Sequence, residues 1–219
     1  PPLRAVRIEE MINHFRYQKP GMVKGSGVVA DMELCDTPWN PLTMLLAVHV
    51  SVDPDAGDAA GITGPVYLEI NPERVGRVRL LGYAQLKHSG QKKSSGPAKL
   101  SRSQGNYVIY ELENQDAAER SAVVATLHLG QEGSQAQLPI SQKHSWIHAS
   151  PDLRFASVVS ACGILLHQHQ GVGELDAGRL LSFVELLEKQ DSTRLGGDRR
   201  EALQLCRKAA GLIGAVSGN

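Results

Sequence analysis

The sequence has no apolar run approaching the roughly eighteen residues that a membrane-spanning helix needs. Pro1 to Arg7 also lacks the charged start and apolar middle of a secretory signal, so the chain is expected to be soluble. It opens on Pro1 and not on Met, which fits removal of an upstream segment and leaves the compartment illegible from the start. Cysteine is scarce: Cys35, Cys162 and Cys206 are odd in number, far apart and form no C-x-x-C pair, which excludes a disulfide framework and a four-cysteine zinc site. Net charge is missing too, with 23 basic residues balancing 23 acidic ones. Without a global field to attract nucleic acid or an anionic membrane, neither partner is expected. The motifs of common catalytic sites are absent. No G-x-S-x-G elbow positions a nucleophile, and no G-x-x-x-x-G-K-[ST] loop cradles phosphate. Gly21, Gly25 and Gly27 precede a strand pattern, the wrong context for phosphate at a helix start. No internal repeat is visible.

What is present is ordinary for a globular chain: 219 residues, 42% apolar and 21% charged. A chain of this size buries roughly 70% of the surface its unfolded form exposes, so it folds without a staple. From Val6, the spacing of Ile8, Met11, Ile12 and Phe15 predicts a short amphipathic helix ended by Pro20 and Gly21. Alternation then predicts a half-buried strand at Val28 to Leu34, with Asp31 and Glu33 opposite its apolar side, and a central strand at Met44 to Val52. Further strands are expected around Val66 to Ile70, Val78 to Leu80, Val108 to Leu112, Val123 to Leu129 and Ala136 to Ile140. About seven short strands separated by turn signals point to an antiparallel sandwich. At Ser150 the period changes from two to 3.6. Ser150 suits a cap, Pro151 the first helical position and Asp152 the positive end of the dipole. Phe155, Val159, Cys162 and Leu166 are the expected buried stripe of this helix; Leu180, Phe183, Val184 and Leu187 mark a second, and Ala202, Leu205, Cys206, Ala209 and Leu212 or Ile213 a third. The expected class is α+β: a short N-terminal helix with a β-sandwich over residues 1–149, and a three-helix unit over 150–219 packed on it.

Asp53, Asp55 and Asp58 lie in the acidic stretch 53–64, but the twelfth position of a calcium loop counted from Asp53 is Gly64, so a solvated linker is the better account. His144, His148, His167 and His169 have spacings compatible with zinc, but no acidic or cysteine ligand accompanies them in sequence. The segment Lys87 to Gly105 should be a long loop; its Lys87, Lys92, Lys93, Lys99 and Arg102 have no interleaved aromatic residue, unlike single-strand nucleic-acid binders. Trp39, between prolines, serves either as a partner anchor or as a plug at the core edge. Cys162 and Cys206, each on a helix stripe, read as two buried thiols, with a disulfide between them left open.

Several stretches together resemble one family. Val6-Arg-Ile-Glu-Glu-Met-Ile-Asn13 with Phe15 and Tyr17, then Pro38-Trp-Asn-Pro41 running into Leu45 to Val50, is similar to the N-terminal segment of bacterial YfbK-type von Willebrand factor A-domain proteins. Leu68-Glu-Ile-Asn-Pro-Glu-Arg-Val75, Arg79-Leu-Leu-Gly-Tyr83 and Asp152-Leu-Arg-Phe-Ala156 resemble the region that follows the A domain there. The resemblance implies a frame from which the A domain and its metal site are missing, with the linker 53–64 in their place. Met44 to Val52 and Val66 to Ile70 should then lie close together. It also implies an extracytoplasmic, envelope-associated location. The expected function is a non-catalytic protein-interaction or scaffold module with no cofactor, no metal and no catalytic residue; the alternative is a metal-binding protein or metal-dependent enzyme using the four histidines.

Overall fold

The computed structural model describes residues 6–18, 21, 23–25, 27–53, 66–82, 93–95, 106–115, 122–130, 136–167, 173–191 and 195–217. Their elements run α1 (Ile8–Asn13), β1 (Val23–Gly25), β2 (Val28–Asp36), β3 (Thr43–Val52), β4 (Val66–Ile70), β5 (Val75–Leu80), β6 (Lys93–Ser95), β7 (Asn106–Asn114), β8 (Ala125–Leu129), β9 (Ala136–Ile140), α2 (Pro151–Leu166), α3 (Ala177–Gln190) and α4 (Gly197–Ser217). All seven expected strands are present, in an α+β fold. Two three-residue strands join them: β1, from the glycine-rich lead-in, and β6, inside the segment expected to be a loop.

The strands form two antiparallel sheets, ordered β1-β2-β3-β7-β5 and β6-β4-β8-β9. One core lies between them. Leu34 of β2, Met44 and Leu46 of β3 and Leu112 of β7 meet Leu68 of β4 and Leu127 and Leu129 of β8. β3 and β4 therefore contribute to one apolar interior although they belong to different sheets. The opposite face of the five-stranded sheet carries a second core, in which Cys35, Leu45, Ala47 and Ile109 pack with Ile8 and Ile12 of α1 and with α2, α3 and α4. The molecule is thus layered sheet, sheet, helices, and the five-stranded sheet is covered on both faces. That explains why β3 is apolar on both sides.

α2 begins as expected, with the Ser150 side chain accepting from the Leu153 amide at 3.1 Å and Pro151 in the first turn. It is not amphipathic: twelve of its 16 residues are buried, because the sheet, α1, α3 and α4 enclose it. The buried line of α4 is Leu203, Cys206 and Ala210, whereas Leu205 and Leu212 are exposed, so the stripe is turned from the expected one. α1 also stops early, at Asn13. There the Asn13 amide donates to the Tyr107 carbonyl at 3.0 Å and accepts from the Tyr107 N–H at 2.8 Å, imitating a strand partner beyond the end of β5. Of the Asp53 to Gly64 linker and the Lys87 to Gly105 segment, only Asp53 and β6 are among the described residues.

Candidate functional site

The register of the five-stranded sheet sets a row of three polar side chains on its helix-facing side. Asp31 of β2 is the pairing partner of His49 of β3, and His49 that of Tyr107 of β7. Side chains alternate along a strand and stand opposite their cross-strand partners, so the three lie shoulder to shoulder. The next row along is Glu33, Ala47 and Ile109. Ala47, which ends in a methyl group, leaves space beside it near the start of α2. A cavity of about 300 Å³ opens there, lined by Asp31, His49 and Tyr107 of the first row, by Glu33 and Ala47 of the second, by Met32 and Gln18, and by Ser150 and Asp152 at the start of α2.

The carboxylates divide into two kinds. Glu33 is engaged by the start of α2, accepting from the Ser150 N–H at 2.6 Å and from its hydroxyl at 2.5 Å. Asp152 is engaged as well: Arg199 of α4 lies 2.7 Å from one of its oxygens and the Gln18 N–H donates to the other at 2.7 Å. The Asp31 carboxylate accepts no hydrogen bond from any described residue, although its backbone belongs to the β2–β3 ladder. Its burial, then the neighbouring Glu33 and Asp152 charges, push its pKa up to about 6. His49 is 5% exposed, and burial outweighs the nearby Asp152 to pull its pKa down to about 4, so the ring is neutral at pH 7. Tyr107 is 4% exposed, and burial holds its phenol well above the ordinary value. Neither the His49 ring nor the Tyr107 hydroxyl has a hydrogen-bond partner among the described residues, although both are at least nine-tenths buried and line the cavity.

Tyr17, which lines an adjoining cleft, stands behind Tyr107. It stacks on Tyr107 with ring centroids 4.2 Å apart, donates its hydroxyl to the Ile12 carbonyl at 2.8 Å, and carries the Arg199 guanidinium over its own ring, 5.3 Å from the centroid. Past Gln18 and Asp152, which line both, a second cleft of about 450 Å³ runs between residues 14–18 and the start of α4 at Gly197 to Arg199. The two form an adjoining pair of openings. Chemically the first offers one free carboxylate, a neutral imidazole, a phenol and an aromatic face. Its one hydroxyl of nucleophilic type, Ser150, already donates to Glu33 and accepts from Leu153.

The residues singled out by sequence lie elsewhere. His144 spends its backbone on β2, donating to Leu34 and accepting from Asp36, and its side chain is exposed. His148 ends a short 3-10 turn before α2, while His167 caps the far end of α2, some 24 Å away for a 16-residue helix, with its ring against the Val6 carbonyl. His169 lies outside the described residues, as do Asp55, Asp58, Lys87, Lys92, Lys99 and Arg102. No group of three or more His, Cys, Asp or Glu among the described residues is disposed to hold a metal ion. Trp39 is wholly buried, the plug and not the anchor. Cys162 and Cys206 are buried free thiols in the core where α2 packs on α4. Sequence reasoning passed over Asp31, His49 and Tyr107. A signal existed, since His49 interrupts the most apolar strand in the chain, but only the strand pairing reveals what stands beside it.

A family model described as von Willebrand factor matches residues 1–47, from the N-terminal helix to midway along β3, and relates that segment to the von Willebrand A family. No curated protein and no solved structure matches the chain. Among the described residues, no helix is long and apolar enough to cross a membrane.

Proposed function

We propose that this chain is a non-catalytic protein-interaction module, the frame of a YfbK-type von Willebrand A protein in which residues 53–64 stand where relatives carry the A domain, and that it acts outside the cytoplasm. One observation carries the binding role: the cavity over β2, β3 and β7 leaves two deeply buried polar side chains, His49 and Tyr107, without internal hydrogen bonds. Buried polar groups are normally met inside the protein; the polar atoms of these two side chains open instead onto the cavity, where an outside group can meet them. The absence of a free nucleophile beside them favours binding over group transfer. The match over residues 1–47 supports the N-terminal part of the family reading. The sharing of one core by β3 and β4 supports the excision, because a domain inserted between two strands of one folded unit is replaceable by a short linker. The extracytoplasmic location rests on the resemblance alone.

A photo-cross-linking residue at Gln18, at the mouth of the cavity, and another at Gln137, on the exposed edge strand β9, test the module reading in extracts of the native source. The Gln18 variant should capture one recurrent protein in stoichiometric yield that the Gln137 variant does not. Identical patterns from both positions, or none, would overturn it.

A further inference from the structure

The charge lining the cavity points to what fits inside. Three carboxylates, Asp31, Glu33 and Asp152, border it and no cationic side chain does. Arg199 neutralises Asp152 from the adjoining cleft. The positive end of α2 is equivalent to about half a charge and falls on Glu33, which bears a full negative charge and already takes the Ser150 N–H and hydroxyl. The helix start therefore does not make the cavity an anion site, and Asp31 remains as a carboxylate with no partner among the described residues. Beside it stand the two buried groups that no internal hydrogen bond occupies. The His49 ring, neutral at pH 7, has a lone pair to offer a donor, and the Tyr107 oxygen has another, while the ring of Tyr107 presents a π-surface. The requirements converge: a ligand with positive charge, several N–H donors and an apolar stem to pass Met32 and Ala47. At about 30 Å³ per water, the 300 Å³ cavity accepts such a head together with several solvent molecules.

We propose that the Asp31–His49–Tyr107 row receives the cationic head of a lysine or arginine side chain presented by the partner protein. This rests on the reading of the chain as an interaction module and names the chemistry by which it recognises its partner. Binding exchanges the repulsion among Asp31, Glu33 and Asp152 for a charge-assisted hydrogen bond, so recognition depends on Asp31 being ionised and weakens as that carboxyl takes up its proton.

The test titrates the full chain at pH 7.5 with N-acetyl-lysine methylamide and N-acetyl-arginine methylamide, following the His49 ring resonances by NMR. N-acetyl-norleucine methylamide, with a similar stem and no charge, is the control, as is the free alkylamine butylammonium, which separates a side chain on a backbone from a small amine. A saturable shift with one of the two cationic probes, absent with norleucine, stronger than with butylammonium and at least about tenfold weaker in Asp31→Asn, is the expected result. The melting curve of Asp31→Asn shows that the variant is folded. No saturable shift from either cationic probe, an equal shift with norleucine, stronger binding of butylammonium, or full binding by Asp31→Asn would overturn the proposal. The module reading fails separately. If Gln18 captures the same partner from wild type and from Asp31→Asn, the module stands and the cation site falls; if Gln18 captures nothing, the module reading falls whatever the titration gives.

Discussion

Between pH 4 and 6.5, Asp31 and His49 act on stability in opposite directions, although burial is the leading cause for both. The Asp31 carboxyl moves from 3.8 up to about 6 in the folded chain, so across that interval the folded state holds the extra proton. Its contribution to stability is present below pH 3.8 and is lost as pH rises through about 6. His49 moves from 6.5 down to about 4, so there the unfolded state holds more protons. Its contribution is present above pH 6.5 and is lost as pH falls through about 4. Glu33, Asp152, Arg199, Tyr17 and Tyr107 are the other ionisable groups around the pair. Wild type should therefore show little net slope from these two groups. Asp31→Asn removes one side of the balance, and its stability should rise with pH from 4 to 6.5. His49→Gln removes the other, and its stability should fall from pH 4 to 6. Each slope should amount to on the order of 1 kcal/mol over the window once solvent screening at partly open Asp31 is allowed for. Urea denaturation at half-unit pH intervals measures both. Parallel profiles for the two variants would contradict the assignment.

At the scale of elements, the seat of α1 on α2 depends on a missing side chain. A Cβ on Gly163 would lie 2.6 Å from Ile8 Cγ1, well inside contact distance. Alanine at an interior helical site is ordinarily favoured over glycine by about 1 kcal/mol. Overpacking a rigid, fully buried contact costs about 1–3 kcal/mol, and Cγ1 is too near the backbone of Ile8 to swing away. The clash should win. Gly163→Ala is expected to be destabilising by about 1–2 kcal/mol in urea titrations, and its cost should shrink when measured in an Ile8→Ala background, a coupling that a double-mutant cycle detects. Much of α2 was legible locally: Ser150, Pro151 and Asp152 announce its start because capping depends on neighbours in sequence. The end of α1 was not. Asn13 leaves the helix pattern to pair with a strand residue 94 positions away, and nothing between Val6 and Tyr17 encodes that.

Across the whole molecule, β2, β3 and β7 contribute to both cores, one between the sheets and one under the helices. The sheets are expected to need the helices: removing residues 150–219 would uncover Cys35, Leu45, Ala47 and Ile109, all at most 2% exposed. At roughly 25 cal/mol per Å² of apolar surface returned to water, such a face outweighs the usual margin of stability, so the chain 1–149 should lack near-ultraviolet circular dichroism, bind a hydrophobic dye and unfold without cooperativity. The intact chain should unfold in a single transition seen alike by the buried Trp39 and Trp146 and by far-ultraviolet signal. A folded, cooperative 1–149 fragment would show that the sheets stand without the helices.

The sequence by itself determined the elements and their class, because alternation, helical periodicity and caps are carried by residues within a few positions of one another. It showed that β3 is apolar on both faces and that helices follow strands. Only the tertiary structure decided which face of each element is inward, turning Leu205 and Leu212 out and directing Asp31 and Glu33 under the helices. Only it brought Asp31, His49 and Tyr107 into one row, across separations of 18 and 58 residues. Strand register is fixed by the summed packing of whole faces, and the site is a by-product of that sum, invisible in any local window.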